Sequence, residues 1–150
     1  MGKMQSLDFY LKKVKEANLR LTTQRIEVIK CLLKHNNWHT IDDIIDHLTI
    51  ANNKKPNIAS VYNVLHSLVS CKIINAFLDV NSFKPFFNLR HDEHEHVYCF
   101  TNKKQSFFTI PFEKKLVNQI KKYFINNGFE TSDFYIVANG LVKSNEKKCK

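Results

Sequence analysis

The sequence predicts an α+β protein, with an N-terminal winged helix-turn-helix domain followed by a small α/β dimerisation domain. Three observations carry this. Four segments with apolar residues at helical spacing, each opened by a capping residue, occupy the N-terminal part of the chain. After Cys71-Lys72 the pattern changes to two strand-like runs around a polar turn, so short helices lead into a hairpin. Beyond a charged break the order is strand, strand, helix, strand over about fifty residues, which is thin for an independent core. A small open-edged sheet with one helix gains by pairing with a copy of itself, so a homodimer is expected. The expected boundaries are 1–89 for the winged-helix domain, 90–95 for a hinge, 96–142 for the dimerisation domain and 143–150 for a basic tail.

Each element has its own signal. Ser6 caps a first helix with Phe9, Leu11 and Val14 apolar, ending near Asn18. Thr22 or Thr23 caps a second, whose inward stripe is Ile26, Ile29, Leu32 and Leu33. His35-Asn36-Asn37-Trp38-His39 reads as a loop. Thr40 with Asp43 three residues later resembles a capping box and opens a third helix to about Leu48. Asn57 caps a fourth, with Ile58, Val61, Leu65 and Leu68 on one stripe and Ala59, Tyr62, Asn63 and His66 on another. The second stripe carries the residue types a reading helix presents to base edges. Taken alone, this helix favours the plainer reading, Tyr62 packed at the edge of the core. Ile73 to Leu78 and Phe83 to Leu89 read as strands around Asp79-Val80-Asn81-Ser82, with Pro85 at an edge. His94 to Thr101 and Gln105 to Ile110 read as two further strands. Pro111 starts a helix that buries Phe112, Leu116, Ile120 and Phe124 and closes at Asn127-Gly128, and Phe134 to Val142 is the last strand.

Composition narrows the function classes. The 150 residues carry +9, which favours a polyanionic partner. Twenty of the 23 bases are Lys, beside sixteen Asn and thirteen Ile, a composition that an AT-rich genome also produces. No apolar run reaches the roughly 18 residues of a membrane span, and no secretory signal opens the chain. A cytoplasmic location is expected, with the four cysteines as reduced thiols, since no pair has CxxC spacing. Gly2 and Ser6 fit the bare myristoylation pattern, which is too short to weigh. Walker, GxSxG and dinucleotide glycine patterns are absent.

His91-Asp92-Glu93-His94-Glu95-His96 holds three of the seven His in six residues. On a strand, His94 and His96 share one face, an imidazole pair suited to zinc, iron, copper or nickel, and the carboxylates add affinity for manganese. One strand cannot complete a metal site, and His39 is the natural third ligand. A bare HxH also reads as a solvated polar linker. HExxH is absent.

In this order the pieces resemble the ferric uptake regulator family, with some likeness to its peroxide-sensing branch. The landmarks are Leu19-Arg20-Leu21-Thr22-Thr23-Gln24-Arg25, resembling R-x-T-x-Q-R; Ile58-Ala59-Ser60-Val61-Tyr62-Asn63-Val64-Leu65, resembling A-T-V-Y-[RN]-x-L; and His94-Glu95-His96-Val97-Tyr98-Cys99, resembling H-x-H-x-x-C. The resemblance implies a transcriptional repressor, not an enzyme, that binds double-stranded DNA as a homodimer under control of a divalent metal ion (zinc, iron or manganese) held between its two domains. It implies DNA contacts by Lys15, Arg20, Tyr62 and Asn63. Its metal ligands are His39, His94 and His96, with Glu93 and Glu95 at a further site.

This chain also departs from the family pattern. Of the two CxxC pairs of the family's structural zinc site only Cys99 remains; Asn102, Val142 and Asn145 take the other positions. Asn88 and Phe107 occupy two acidic positions of the regulatory site, which argues against peroxide sensing. Two rival readings stand beside this one: a metal-independent winged-helix repressor with a degenerate sensor site, and a small metal-dependent hydrolase using residues 91–96.

Overall fold

The computed structural model describes residues 5–35, 38–79, 82–90, 96–101, 106–131 and 134–143. The chain divides into two compact units, Met1–His91 and Asp92–Lys150.

The first unit runs α1 (Leu7–Glu16), α2 (Thr23–Lys34), α3 (Ile41–Asn52), α4 (Ile58–Ser70), β1 (Ile74–Leu78) and β2 (Pro85–Leu89). Every helix start is held by the side chain the sequence nominates. Ser6, Thr22, Thr40 and Asn57 each accept a bond from the backbone N–H three residues on, which satisfies one of the orphan donors of a first turn. Thr40 and Asp43 form a complete capping box. Helix ends use one device twice. After α1, Asn18 (φ 56°) donates to the Lys15 carbonyl and Leu19 to that of Val14; after α4, Lys72 (φ 57°) donates to Val69 and Ile73 to Leu68. This is the Schellman arrangement, with Asn and Lys in the left-handed position that glycine usually takes. Leu19 and Ile73 are thereby turned back toward the helices they follow.

The core of this unit is Tyr10, Val14, Val28, Ile29, Leu32, Ile44, Leu48, Val61, Leu65, Leu68, Ile73, Ile74 and Leu89, all at or below 2% exposure. At about 1.5–3 kcal/mol per buried aliphatic side chain, this cluster dominates the unit's stability. β1 and β2 pair antiparallel from Ile74↔Leu89 to Leu78↔Pro85. Asp79 closes their turn: its carboxylate accepts from the Ser82 amide and hydroxyl, and its carbonyl from the Phe83 amide. His39 adds a bridge to Phe87 on the other edge of β2.

Three expectations are corrected here. α3 continues past Leu48 to Asn52, where a left-handed Asn53 ends it. Ile58 is 43% exposed, because Val64 with Val61, Leu65 and Leu68 completes the buried stripe of α4. Phe83 lies outside β2, since its φ of 55° is incompatible with an extended strand.

The second unit contains β3 (His96–Thr101), β4 (Ser106–Pro111), α5 (Lys114–Asn126) and β5 (Ile136–Gly140). Its sheet has the order β4-β3-β5, with β4 antiparallel and β5 parallel to β3. The helix is therefore the crossover that a parallel pair needs. Two further corrections fall here. Pro111 is the last residue of β4, not the first turn of the helix, which Glu113 precedes. An edge strand tolerates the missing N–H of proline. α5 buries none of its residues: Leu116 is exposed, and Ile120 and Phe124 are only half-buried, as is Phe112, which precedes the helix. The helix closes as expected: Asn127 is the C-cap, Gly128 (φ 77°) donates to Ile125, and Phe129 donates to Phe124. The tail expected at 143–150 lies, after Lys143, outside the described residues.

Candidate nucleic-acid interface and metal-ligating residues

Helix α4 has two opposed faces. Val61, Val64, Leu65 and Leu68 are buried. Ile58, Ala59, Tyr62, Asn63, His66 and Ser70 are exposed, three or four residues apart, so they form a single outward stripe. Tyr62 is 48% exposed, so about half of it reaches solvent from this stripe. Ring, amide and imidazole on that stripe can all hydrogen-bond, the equipment for base edges and phosphate oxygens.

Arg25 ties the preceding segment to this helix. Its guanidinium donates to the Arg20 carbonyl and, at 3.3 Å, to Ser67 Oγ on α4. Ser67 in turn donates to the Val64 carbonyl at 2.8 Å. The Arg20 backbone is thus fastened while its side chain is left exposed. Lys15, on the last turn of α1, is exposed as well. All four residues nominated for DNA contact therefore reach solvent.

His39 is placed differently. It is 7% exposed, and its main chain bonds to Phe87 in both directions, N to O at 3.0 Å and O to N at 2.8 Å. Its Nε2 lies against the His35 carbonyl. A carbonyl only accepts, so Nε2 is the donor in this contact. Neighbouring Trp38 packs on Phe77 at 4.6 Å between ring centroids.

Two further imidazoles surround His39. His35 stacks on His47 with centroids 3.8 Å apart and planes 16° apart. His39 stands edge-on to both, 5.4 Å from His47 and 6.0 Å from His35. Burial, then the charges of His47, His39 and Lys34, lower the pKa of His35. Burial pushes the Asp43 carboxyl up, but hydrogen bonds from Thr40 and the charges of His39 and His47 outweigh it, and its pKa falls below the usual value. Among the described residues no three His, Cys, Asp or Glu side chains stand ready to hold one ion. The sequence signal for this cluster was His35 and His39 four apart, with His47 one turn after Asp43 on α3.

The other nominated ligands are less visible. His96 opens β3 opposite Pro111, and its side chain is not among those described. Glu93, His94 and Glu95 lie outside the described residues, as does His91. Asn88, at a position the resemblance makes acidic, is 7% exposed and pairs across the hairpin with Asn75. Burial raises the pKa of Cys99 on β3.

A sequence profile of the ferric uptake regulator family matches residues 16–138. The chain belongs to this family. An uncharacterized protein of Mycoplasma genitalium is 39% identical over 139 residues, 92% of this chain and 99% of that one. A Mycoplasma pneumoniae homologue of it is 33% identical over 143 residues, 95% of this chain and 90% of that one. Solved family structures share the fold. The Pseudomonas aeruginosa ferric uptake regulator with manganese aligns at TM-score 0.69 and 16% identity, over 90% of this chain and 98% of its own. A zinc uptake regulator complexed with zinc and DNA aligns at TM-score 0.69 and 21% identity, over 91% of this chain and 89% of its own. The family assignment accounts for the four helices, the hairpin and the following mixed sheet as a winged-helix unit and its companion. Among the described residues no helix is long and apolar enough to cross a membrane.

Proposed function

We propose that the protein is a cytoplasmic homodimeric repressor whose affinity for a DNA operator is set by a divalent metal ion. The outward stripe of α4 carries this reading. Core residues hold the helix from behind, and its exposed Tyr62 and Asn63 read bases in the major groove. Lys15 and Arg20 bind phosphate. The lysine excess, within a net charge of +9, gives the affinity its counterion-release component.

In this reading His39 supplies the ion from the first unit and His94 and His96 from the second, with Glu93 and Glu95 at a further site. The ion favours the arrangement of units that fits two half-sites, so DNA affinity follows ion occupancy. Dimerisation has its own support. Tyr123, Ile125 and Phe129 are 68%, 60% and 59% exposed at the end of α5, more apolar surface than a small unit leaves in water without a partner. The zinc uptake regulator solved with zinc and DNA is a precedent for ion and DNA on this fold.

A second reading, repression without metal control, is favoured by Asn88: a buried amide stands where the family pattern has a carboxylate. The experiment that separates the two measures operator affinity with and without divalent ion for the wild type and for His39→Ala plus His96→Ala. Loss of ion dependence in the variant supports metal control. No ion dependence in the wild type supports the second reading.

A further inference from the structure

We infer that Arg25 is a positioning residue for DNA reading. Its guanidinium sets the spacing between the Arg20 segment and α4, so that a phosphate contact at Arg20 brings Tyr62 and Asn63 into register with the bases. This deepens the reading of α4 given above and rests on it.

The segment that carries Arg20 is held from several sides. Leu19 donates to the Val14 carbonyl, and both Leu19 and Leu21 pack against the core, so the neighbours of Arg20 are anchored on either side. The Arg20 carbonyl accepts from the Thr22 amide at 3.1 Å and from the Arg25 guanidinium. Thr22 Oγ1 accepts from the Arg25 amide at 3.2 Å. Arg25 therefore closes this turn twice, once with its main chain and once with its side chain. The other arm of its fork donates to Ser67 Oγ at 3.3 Å. Ser67 lies on α4 one turn beyond Asn63. Its own proton goes to the Val64 carbonyl at 2.8 Å, which leaves its oxygen to accept from Arg25. A single planar group thus spans the phosphate-contact segment and the reading helix.

Stability alone does not require an arginine here. Arg25 is half-buried, and its Nε is buried without a hydrogen-bond partner among the described residues. An apolar side chain of similar volume in place of such a group is often neutral or stabilising. What an apolar contact lacks is direction. It would let α4 slide against residues 19–21, whereas two hydrogen bonds from one rigid fork fix both distance and angle. That matters for DNA, because phosphate contacts set the register in which base contacts are made.

The test uses the full chain, operator duplexes recovered from DNA cross-linked to the protein in cells, and a scrambled duplex of the same length. Arg25→Lys keeps the charge and removes the fork; Ser67→Ala removes only the acceptor on α4. Each should lower the preference for operator over scrambled DNA by about 10-fold, part of what Tyr62→Ala removes, while affinity for scrambled DNA and its salt dependence are kept. The double variant should be no worse than either single one, because both break the same link. Ser67→Thr, which retains the hydroxyl, should keep the preference. Arg20→Ala, by contrast, should weaken binding to both duplexes and make the salt dependence shallower. Urea unfolding checks that each variant is folded in the assay, and Ser67→Ala decides the matter if Arg25→Lys is not. Full operator preference in Arg25→Lys and Ser67→Ala, beside its loss in Tyr62→Ala, would overturn the inference and leave the reading of α4 standing. Equal losses on both duplexes would also overturn it, as would a double variant whose loss is the product of the single losses. If Tyr62→Ala kept the preference too, α4 would not be the reader and the inference would fall with it.

Discussion

Truncating Tyr62 should separate DNA reading from stability. Fully burying a tyrosine removes about 150–250 Å² from water. Tyr62 is 48% exposed, so roughly 100 Å² is at stake in the fold. At about 25 cal/mol per Å² the ceiling is about 2.5 kcal/mol. Alanine keeps the Cβ, gains roughly 0.5 kcal/mol of helix propensity, and the extended-chain reference inflates the area. The expected cost to folding of Tyr62→Ala is therefore about 1 kcal/mol. Leu65→Ala, one turn on at 1% exposure, should cost about 2–5 kcal/mol. On DNA the order reverses. Tyr62→Ala should reduce the preference for operator over scrambled DNA by about 1–3 kcal/mol, roughly 5- to 150-fold. The assay is fluorescence anisotropy at fixed salt, on operator fragments recovered by genome-wide mapping of bound DNA, alongside urea unfolding of both variants. Equal losses on operator and scrambled DNA would make Tyr62 a backbone contact. A loss of stability matching that of Leu65→Ala would make it a packing residue, and the reasoning from α4 would fail.

Other consequences follow from single features. Thr40→Ala removes the capping box and should destabilise the first unit by about 1 kcal/mol in urea unfolding; no change would mean that the box is idle. The same box holds the Asp43 pKa below the usual 3.8, so its contribution is present above that pH and lost as pH falls below it. The acid limb of the stability profile should accordingly flatten in Thr40→Ala. Burial pushes the Cys31 thiol up to about 11 from 9.0, so it should resist alkylation at pH 8, with only about one thiolate in a thousand. Its stabilising effect is intact below pH 9 and lost between 9 and 11; rapid native-state labelling of Cys31 by mass spectrometry would contradict this. Tyr123→Glu with Ile125→Glu should give monomers by sedimentation velocity while the helix content is kept, since both side chains are exposed within one chain. A persistent dimer would place the interface elsewhere.

Local chemistry was legible in the sequence wherever one residue decides it. Ser6, Thr22, Thr40 and Asn57 cap the helices they precede, because a side-chain oxygen at a helix start has one obvious use. The outward stripe of α4 was legible from its spacing, though Ile58 was misassigned: at the first position of a helix an apolar residue has too little helix before it to fix its face. Pro111 misled because its missing N–H suits both a helix start and the end of an edge strand. The exposed face of α5 was misread because an amphipathic pattern marks an apolar stripe without saying that this chain buries it. The imidazole cluster had only a faint signal, for a different reason. His35, the C-cap of α2, and His47, on α3, are twelve residues apart, and only the packing of α2 on α3 stacks them. The fold class came through because it needs the order of elements and not their limits.

The most direct test of the account is the operator affinity of the full-length protein measured across a titration of divalent ion at fixed pH and salt. We predict that affinity rises with ion and falls on chelation. In His39→Ala plus His96→Ala it should stay at the chelated value throughout. If the variant follows the wild-type curve, DNA binding is governed by something other than an ion held at these histidines.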